Sequence, residues 1–222
     1  MNILLTNDDG YFSEGIKVLK QKLSKYGKVV VVAPKSVMSA KSTAITLGVA
    51  MEVKQIEDDV FACDGTPADC VAFGMSSLNI DFDLVVSGCN HGFNISYDVM
   101  YSGTVGACLQ ALTHKKPAIA FSTPEGFSIV NKYFDRIFKY VLDNRLLSTE
   151  YLLNINFPLG EEVDNVELTH IFYRPEATFY IKQSENHYLA WREIHDEKCD
   201  DIGSDVYAVY HHNVSISKIN KI

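Results

Sequence analysis

Asp8 and Asp9 stand side by side in the cluster Asn7-Asp8-Asp9-Gly10, one residue beyond the short apolar run 3–5. Adjacent carboxylates repel each other, and keeping both ionised beside a buried strand end is costly. A divalent cation removes that cost. Two more polar clusters could complete a ligand set. One holds Ser36, Ser39, Ser42 and Thr43, after Ala33-Pro34; the other holds Gly88, Asn90, Gly92 and Asn94, after the run 83–87 (DLVVS). Carboxylate, hydroxyl and amide oxygens are hard donors, so Asp8, Asp9, Ser39 and Asn90 together suit Mg²⁺, Mn²⁺ or Ca²⁺. No histidine or cysteine falls naturally into that set, which disfavours zinc. As local structure alone, Asn-Asp-Asp-Gly is equally a turn with an Asx motif.

Ser102-Gly103-Thr104 precedes an apolar stretch with helical character. Free N–H groups at a helix N-terminus, with hydroxyls beside them, make an anion site that needs no full positive charge. The competing reading is that Thr104 merely caps the helix. Of the seven histidines only His91 falls in a candidate cluster, either as a partner to phosphate or as a solvated loop side chain. Other phosphate machinery is absent: there is no GxxxxGK[ST] and no GxGxxG opening the first helix. A GxSxG serine elbow is missing too.

The elements that must position these residues alternate. Residues 3–5 read as a strand, then a helix capped by Ser13 and ending near Gly27, then a strand at 29–32 made of four valines. Thr66-Pro67 reads as an N-cap and first helical residue for 69–78, followed by the strand 83–87. A helix at 104–112, a strand at 117–122, an amphipathic helix at 127–142 and a strand at 152–157 continue the pattern. This predicts a Rossmann-like, doubly wound α/β sheet over residues 1–160, where ligands bind at the carboxyl ends of strands. Residues 161–222 read as an extension of the same domain: a hairpin or arm over 160–202, with Trp191 and nearby tyrosines as packing or interface residues, and a final strand at 206–216.

The chain has 222 residues and a net charge of −8, which opposes a role in coating nucleic-acid polymers. Its five cysteines are odd in number and lack CxxC spacing, as expected of reduced thiols. The N-terminus lacks a basic region ahead of its apolar run, and no stretch approaches the roughly 20 apolar residues of a membrane span. The expectation is a cytoplasmic protein without membrane contact.

The blocks ILLTNDDGYFSEGI, VVAPKSVMSAKSTAIT, DGTPADCVAFG and DLVVSGCNHGFN–SYDVMYSGTVGA, in that order, closely resemble the stationary-phase survival protein SurE family. LNINFP at 153–158 and NVSIS at 213–217 extend the likeness over nearly the whole chain. The resemblance implies a Rossmann-like domain whose C-terminal extension exchanges with another subunit, giving a homodimer or homotetramer. It implies a metal-dependent nucleotidase acting on nucleoside 5′- and 3′-monophosphates, with some hydrolysis of short polyphosphate. Carried over by position, Asp8, Asp9, Ser39 and Asn90 would hold one Mg²⁺ or Mn²⁺ per subunit. Asn94, Ser102, Gly103 and Thr104 would line the phosphate pocket, and Asp8 and Asp9 would be catalytic, with Asp9 accepting the proton of the attacking water. Ranking these residues as ligands rests on the resemblance. The chain departs from the family at Cys89, where isoleucine is usual, and at Val37-Met38, where basic or polar residues are usual, which implies a more apolar outer pocket. The stretch 203–207 is also altered. Two rivals stand beside this reading: a non-enzymatic nucleotide-binding module using the same crevice, and a polyphosphatase whose nucleotidase activity is incidental.

Overall fold

The computed structural model describes residues 1–173, 178–192 and 196–220. β1 (Asn2–Thr6), α1 (Glu14–Leu23) and β2 (Lys28–Pro34) form the first βαβ unit, with Ile3 paired to Val29 and Leu5 to Val31 in parallel register. Ser13 caps α1 as expected, its side chain accepting the Ile16 N–H. β3 (Val53–Glu57) and β4 (Val60–Cys63) form an antiparallel pair absent from the sequence expectations. β3 is mostly exposed and polar, so it lacks the apolar run that marks a buried strand.

α2 (Pro67–Ser77) opens with a full capping box between Thr66 and Asp69 and with proline in its first turn. β5 (Leu84–His91) runs past the expected end at Ser87. A single turn, α3 (Asp98–Tyr101), leads into α4 (Gly103–Thr113). Then come β6 (Ala118–Thr123), α5 (Ser128–Asp143) and β7 (Tyr151–Asn156), close to their expected positions.

Beyond β7 lie β8 (Val166–Thr169), β9 (Thr178–Ser184), β10 (His187–Arg192), α6 (Asp205–Tyr210) and β11 (Val214–Asn220). The final strand expected at 206–216 is corrected by α6. Ser204 caps that helix by accepting the Tyr207 N–H, with Asp205 in its first turn, and the strand begins only past His212, whose φ is +56°. β9 and β10 pair as a separate hairpin within the expected arm, of which 174–177 and 193–195 lie outside the described residues.

The fold is α/β, with a nine-stranded sheet in the order β3-β4-β2-β1-β5-β6-β7-β11-β8 and a small hairpin sheet. Parallel pairing dominates; β3/β4 and β7/β11 are antiparallel. The chain winds outward from β1 through β2 and then restarts at β5 on the other side of β1, so the order reverses between β1 and β5. A crevice opens at their carboxyl ends. Alternation along the strands divides the core. Ile3, Leu5, Val31, Val86 and Phe121 pack with α1 and α5, whereas Leu4, Val30, Val85 and Ala120 pack with α2 and α4. Cys63, Cys70, Cys89 and Cys108 are buried free thiols and Cys199 is half-buried. No described helix is long and apolar enough to cross a membrane.

Candidate active site

The reversal point between β1 and β5 places the predicted residues together. Asn7, fully buried, shapes the turn after β1: its side-chain amide donates to Gly10 O and Ser13 Oγ, and its oxygen accepts the Gly10 N–H. The Asx-turn reading therefore holds for Asn7 and leaves the two following carboxylates to the crevice. Asp8, Asp9, Ser39, Asn90, Asn94 and Ser102 line one cavity of about 200 Å³. Ala40, His91, Asp98 and Tyr101 line it too; of these, His91 was singled out in the sequence.

Ser39 reaches the site on the long segment after β2, which is clamped at several points. Met38 N donates to Asp8 O at 2.7 Å, Ser42 N to Tyr101 O at 3.1 Å, and Ser42 Oγ to Met100 O at 2.8 Å. Further along, Asp69 at the start of α2 accepts both the N–H and the hydroxyl of Thr46 at 2.8 Å. Gly106 of α4 packs so closely that a Cβ there would lie 1.9 Å from Ser42 O. Asn90 donates its amide nitrogen to Gly92 O, which leaves Oδ1 as the atom available to the cavity. Asn94 is held from three directions. Its N–H donates to Asn156 Oδ1, its amide to Ser122 Oγ, and its carbonyl accepts from Asn154 and Asn156.

The Ser102-Gly103-Thr104 turn departs in detail from expectation. Ser102, not Thr104, caps α4, accepting the Val105 N–H. Thr104 is fully buried, and its hydroxyl donates to Asp8 Oδ1 at 2.6 Å. Gly103 lies against the same carboxylate, where a Cβ would come within 3.0 Å of Asp8 Cβ. Of the four expected phosphate residues, Gly103 and Thr104 thus lie against Asp8, and Asn94 and Ser102 line the cavity.

Burial pushes the Asp8 carboxyl up to about 6; the Thr104 hydroxyl opposes the rise and the Asp9 charge adds to it. Asp9 is also raised, mainly by burial, against the His91 peptide N–H and imidazole. Two carboxylates pushed toward neutrality, beside a hydroxyl and an amide oxygen, are the donor chemistry that a hard divalent cation satisfies. Among the described residues no three His, Cys, Asp or Glu side chains gather into a metal-holding group. This set has only two such members, and its remaining donors are neutral oxygens. A larger cavity, about 860 Å³, lies elsewhere, between β8, β11 and Asp201, without paired carboxylates.

The chain matches the family described as Survival protein SurE over residues 3–178. It is 38% identical to "5′-nucleotidase SurE" of Acinetobacter baylyi, over 99% of this chain and 93% of that protein. The 5′-nucleotidase SurE of Actinobacillus pleuropneumoniae is 36% identical with the same coverage. The crystal structure of SurE from Aquifex aeolicus superposes with a TM-score of 0.87 at 33% identity, covering 99% of this chain and 93% of that one.

Proposed function

The chain belongs to the SurE family, and from that premise we propose that it is a divalent-metal-dependent phosphomonoesterase hydrolysing nucleoside 5′-monophosphates. Nucleoside 3′-monophosphates and short polyphosphate are secondary substrates. The observation that carries the reading is the gathering of Asp8, Asp9, Ser39 and Asn90 around one cavity beside the N-terminus of α4.

Asp8, Asp9, Ser39 and Asn90 would hold one Mg²⁺ or Mn²⁺. When bound, such a cation polarises a phosphate oxygen and lowers the pKa of a water. Asn94 and Ser102 bind the phosphate oxygens, and the N–H groups of Gly103 and Thr104 add the α4 N-terminus to that seat. Thr104 also keeps the Asp8 carboxylate oriented through its hydroxyl. Asp9, the more open of the two carboxylates, accepts the proton of the attacking water. Attack in line on phosphorus releases nucleoside and phosphate.

Residues 1–160 carry this machinery, and residues 161–222 extend the same domain. The β9–β10 hairpin presents Phe179, Ile181, Leu189 and Trp191 on one face and Tyr180 and Tyr188 on the other, all exposed, an apolar surface suited to joining copies of the chain as a homodimer or homotetramer. The enzyme is assigned to the cytoplasm.

The test is phosphate release from nucleoside 5′- and 3′-monophosphates and short polyphosphate, using EDTA-stripped protein with Mg²⁺, Mn²⁺ or Zn²⁺ restored in turn. Metal-restored release that Asp8→Asn abolishes supports the proposal. Tight nucleotide binding without turnover under any metal would leave the binding-module reading in its place.

A further inference from the structure

Three sulfur atoms meet on the side of the sheet that α2 covers. Cys63 ends β4 and Cys70 stands near the start of α2, both fully buried, while Met51 is half-buried just past the exposed stretch 43–50. The Cys63 thiol donates to Met51 Sδ at 3.3 Å. The Cys70 thiol donates to Cys63, a contact that holds Cys63 below the ordinary thiol range, while burial pushes Cys70 well up. Gly65 permits this approach, since a Cβ there would lie 2.4 Å from Met51 Sδ. Two donors face the pair. The Gly65 N–H donates to the Cys63 sulfur. Thr6, fully buried at the end of β1, has no nitrogen or oxygen partner for its hydroxyl, which faces the Cys70 thiol, a weak acceptor.

Two protons hold these three sulfurs in a row, and a soft cation can replace both. Thiolate and thioether donors select Cu(I), whereas carboxylate and amide oxygens select Mg²⁺ or Mn²⁺. A structural zinc takes four donors, and the set here has three. Asp69, whose charge bears on both thiols, is already engaged by Thr46 and Thr66. When Cu(I) enters, two protons leave and the site carries one net negative charge. The Gly65 N–H and the Thr6 hydroxyl then donate to the two thiolates, and the N-terminal turn of α2 favours the Cys70 anion. Metal–sulfur bonds of about 2.3 Å in a trigonal set place the sulfurs roughly 4 Å apart, so Met51 must withdraw by less than about 1 Å. Methionine is unbranched and adaptable, and the stretch before it is exposed and without regular structure, which also gives the ion a way in.

We propose that Cys63, Cys70 and Met51 form a trigonal Cu(I) site, with Gly65 and Thr6 as its hydrogen-bond donors, separate from the oxygen-lined crevice. Full-length protein, reduced and freed of metal, is titrated anaerobically with Cu(I) in competition with a chromophoric Cu(I) chelator. The copper-loaded protein is then examined by X-ray absorption. The expected result is one tightly held Cu(I) per chain, an ultraviolet sulfur-to-copper charge-transfer band and a first shell made of sulfur alone. Cys63→Ser and Cys70→Ser each remove the band and the tight site. Met51→Leu keeps the volume and lowers affinity about tenfold, the scale of one neutral donor. Thr6→Val lowers it about 10–100-fold, as loss of a partner that supports a ligand does. Cys199→Ser leaves binding unchanged, because that thiol lies outside the cluster. Circular dichroism follows folding; if the buried serine variants do not fold, the wild-type shell and Met51→Leu still decide. Nitrogen or oxygen in the first shell, binding lost with Cys199→Ser, or Met51→Leu and Thr6→Val proteins that bind Cu(I) like wild type overturn the proposal. So does intact mass showing the loss of two hydrogens with no copper retained, which would make Cys63 and Cys70 a disulfide-forming pair instead.

Discussion

Thr104 Oγ1 donates to Asp8 Oδ1 at 2.6 Å across 96 residues of sequence, with both side chains buried. The contact joins the start of α4 to the end of β1, so the helix proposed to seat the phosphate also fixes one carboxylate of the proposed metal set. Replacing Thr104 with valine keeps the shape and removes the donor. The expected result is cation affinity lowered about 10–100-fold, the usual effect of losing a partner that orients a ligand. Mn²⁺ titration followed by electron paramagnetic resonance measures this directly. Thr104→Ser should restore much of the affinity, and a Thr104→Val protein that binds Mn²⁺ like wild type would refute the role.

Much of the frame is legible in the residues because its signals are local. Ser13 and Thr66-Pro67 mark helix starts through capping chemistry that spans only three residues, and consecutive valines mark β2 as buried on both faces. Asp8, Asp9, Ser39 and Asn90 could be gathered because each lies at or beyond the carboxyl end of a strand of a doubly wound sheet. The Thr104–Asp8 contact and the placement of Asp98 are tertiary facts, which spacing cannot report. Thr104 looked like a cap because hydroxyls serve both purposes, and the choice was decided by Ser102 reaching the Val105 N–H. The α6 helix was missed because its apolar run, 206–210, is short enough to read as either element, and only the Ser204 cap separates them.

Gly106 tests the clamp on the Ser39 segment. A methyl group there would meet Ser42 O at 1.9 Å, so backbone must move. Overpacking of this kind costs about 1–3 kcal/mol, which for a chain of this size is a fall in Tm of several degrees. Gly106→Ala should therefore melt earlier. It should also lose turnover beyond its loss of folded protein, because the displaced segment carries Ser39. A variant with wild-type melting and activity would show that the segment is not held there.

The hairpin makes a separate prediction about assembly. Phe179 and Trp191 are directly paired across β9 and β10, and both are substantially exposed. Phe179→Ser with Trp191→Ser should shift the protein to monomer mass in size-exclusion chromatography with light scattering, while circular dichroism of the nine-stranded domain is retained. A wild-type protein already monomeric at micromolar concentration would remove the hairpin from this role.

Asp8 sets the sign of a pH effect. Its carboxyl is raised to about 6, by burial first and by the Asp9 charge in addition, whereas an unfolded aspartate titrates near 4. As pH rises from about 4 to about 6, the unfolded chain gives up this proton before the folded chain does. Folding of the metal-free protein therefore loses stability across that window and stays at the lower level above it. The full penalty, two pH units, is on the order of 3 kcal/mol. A bound cation reverses the balance by favouring the ionised form, so the gain in Tm on adding Mn²⁺ should be largest above pH 6 and fade below it. Asp8→Asn removes the titrating group. Without metal it should be at least as stable as wild type at pH 8, with the difference closing toward pH 4, and it should gain little from Mn²⁺ at any pH. Thermal melts of EDTA-treated and Mn²⁺-loaded protein across this range check both halves. A metal-free Asp8→Asn protein less stable than wild type at pH 8 would mean that the buried carboxylate is not the burden its surroundings make it.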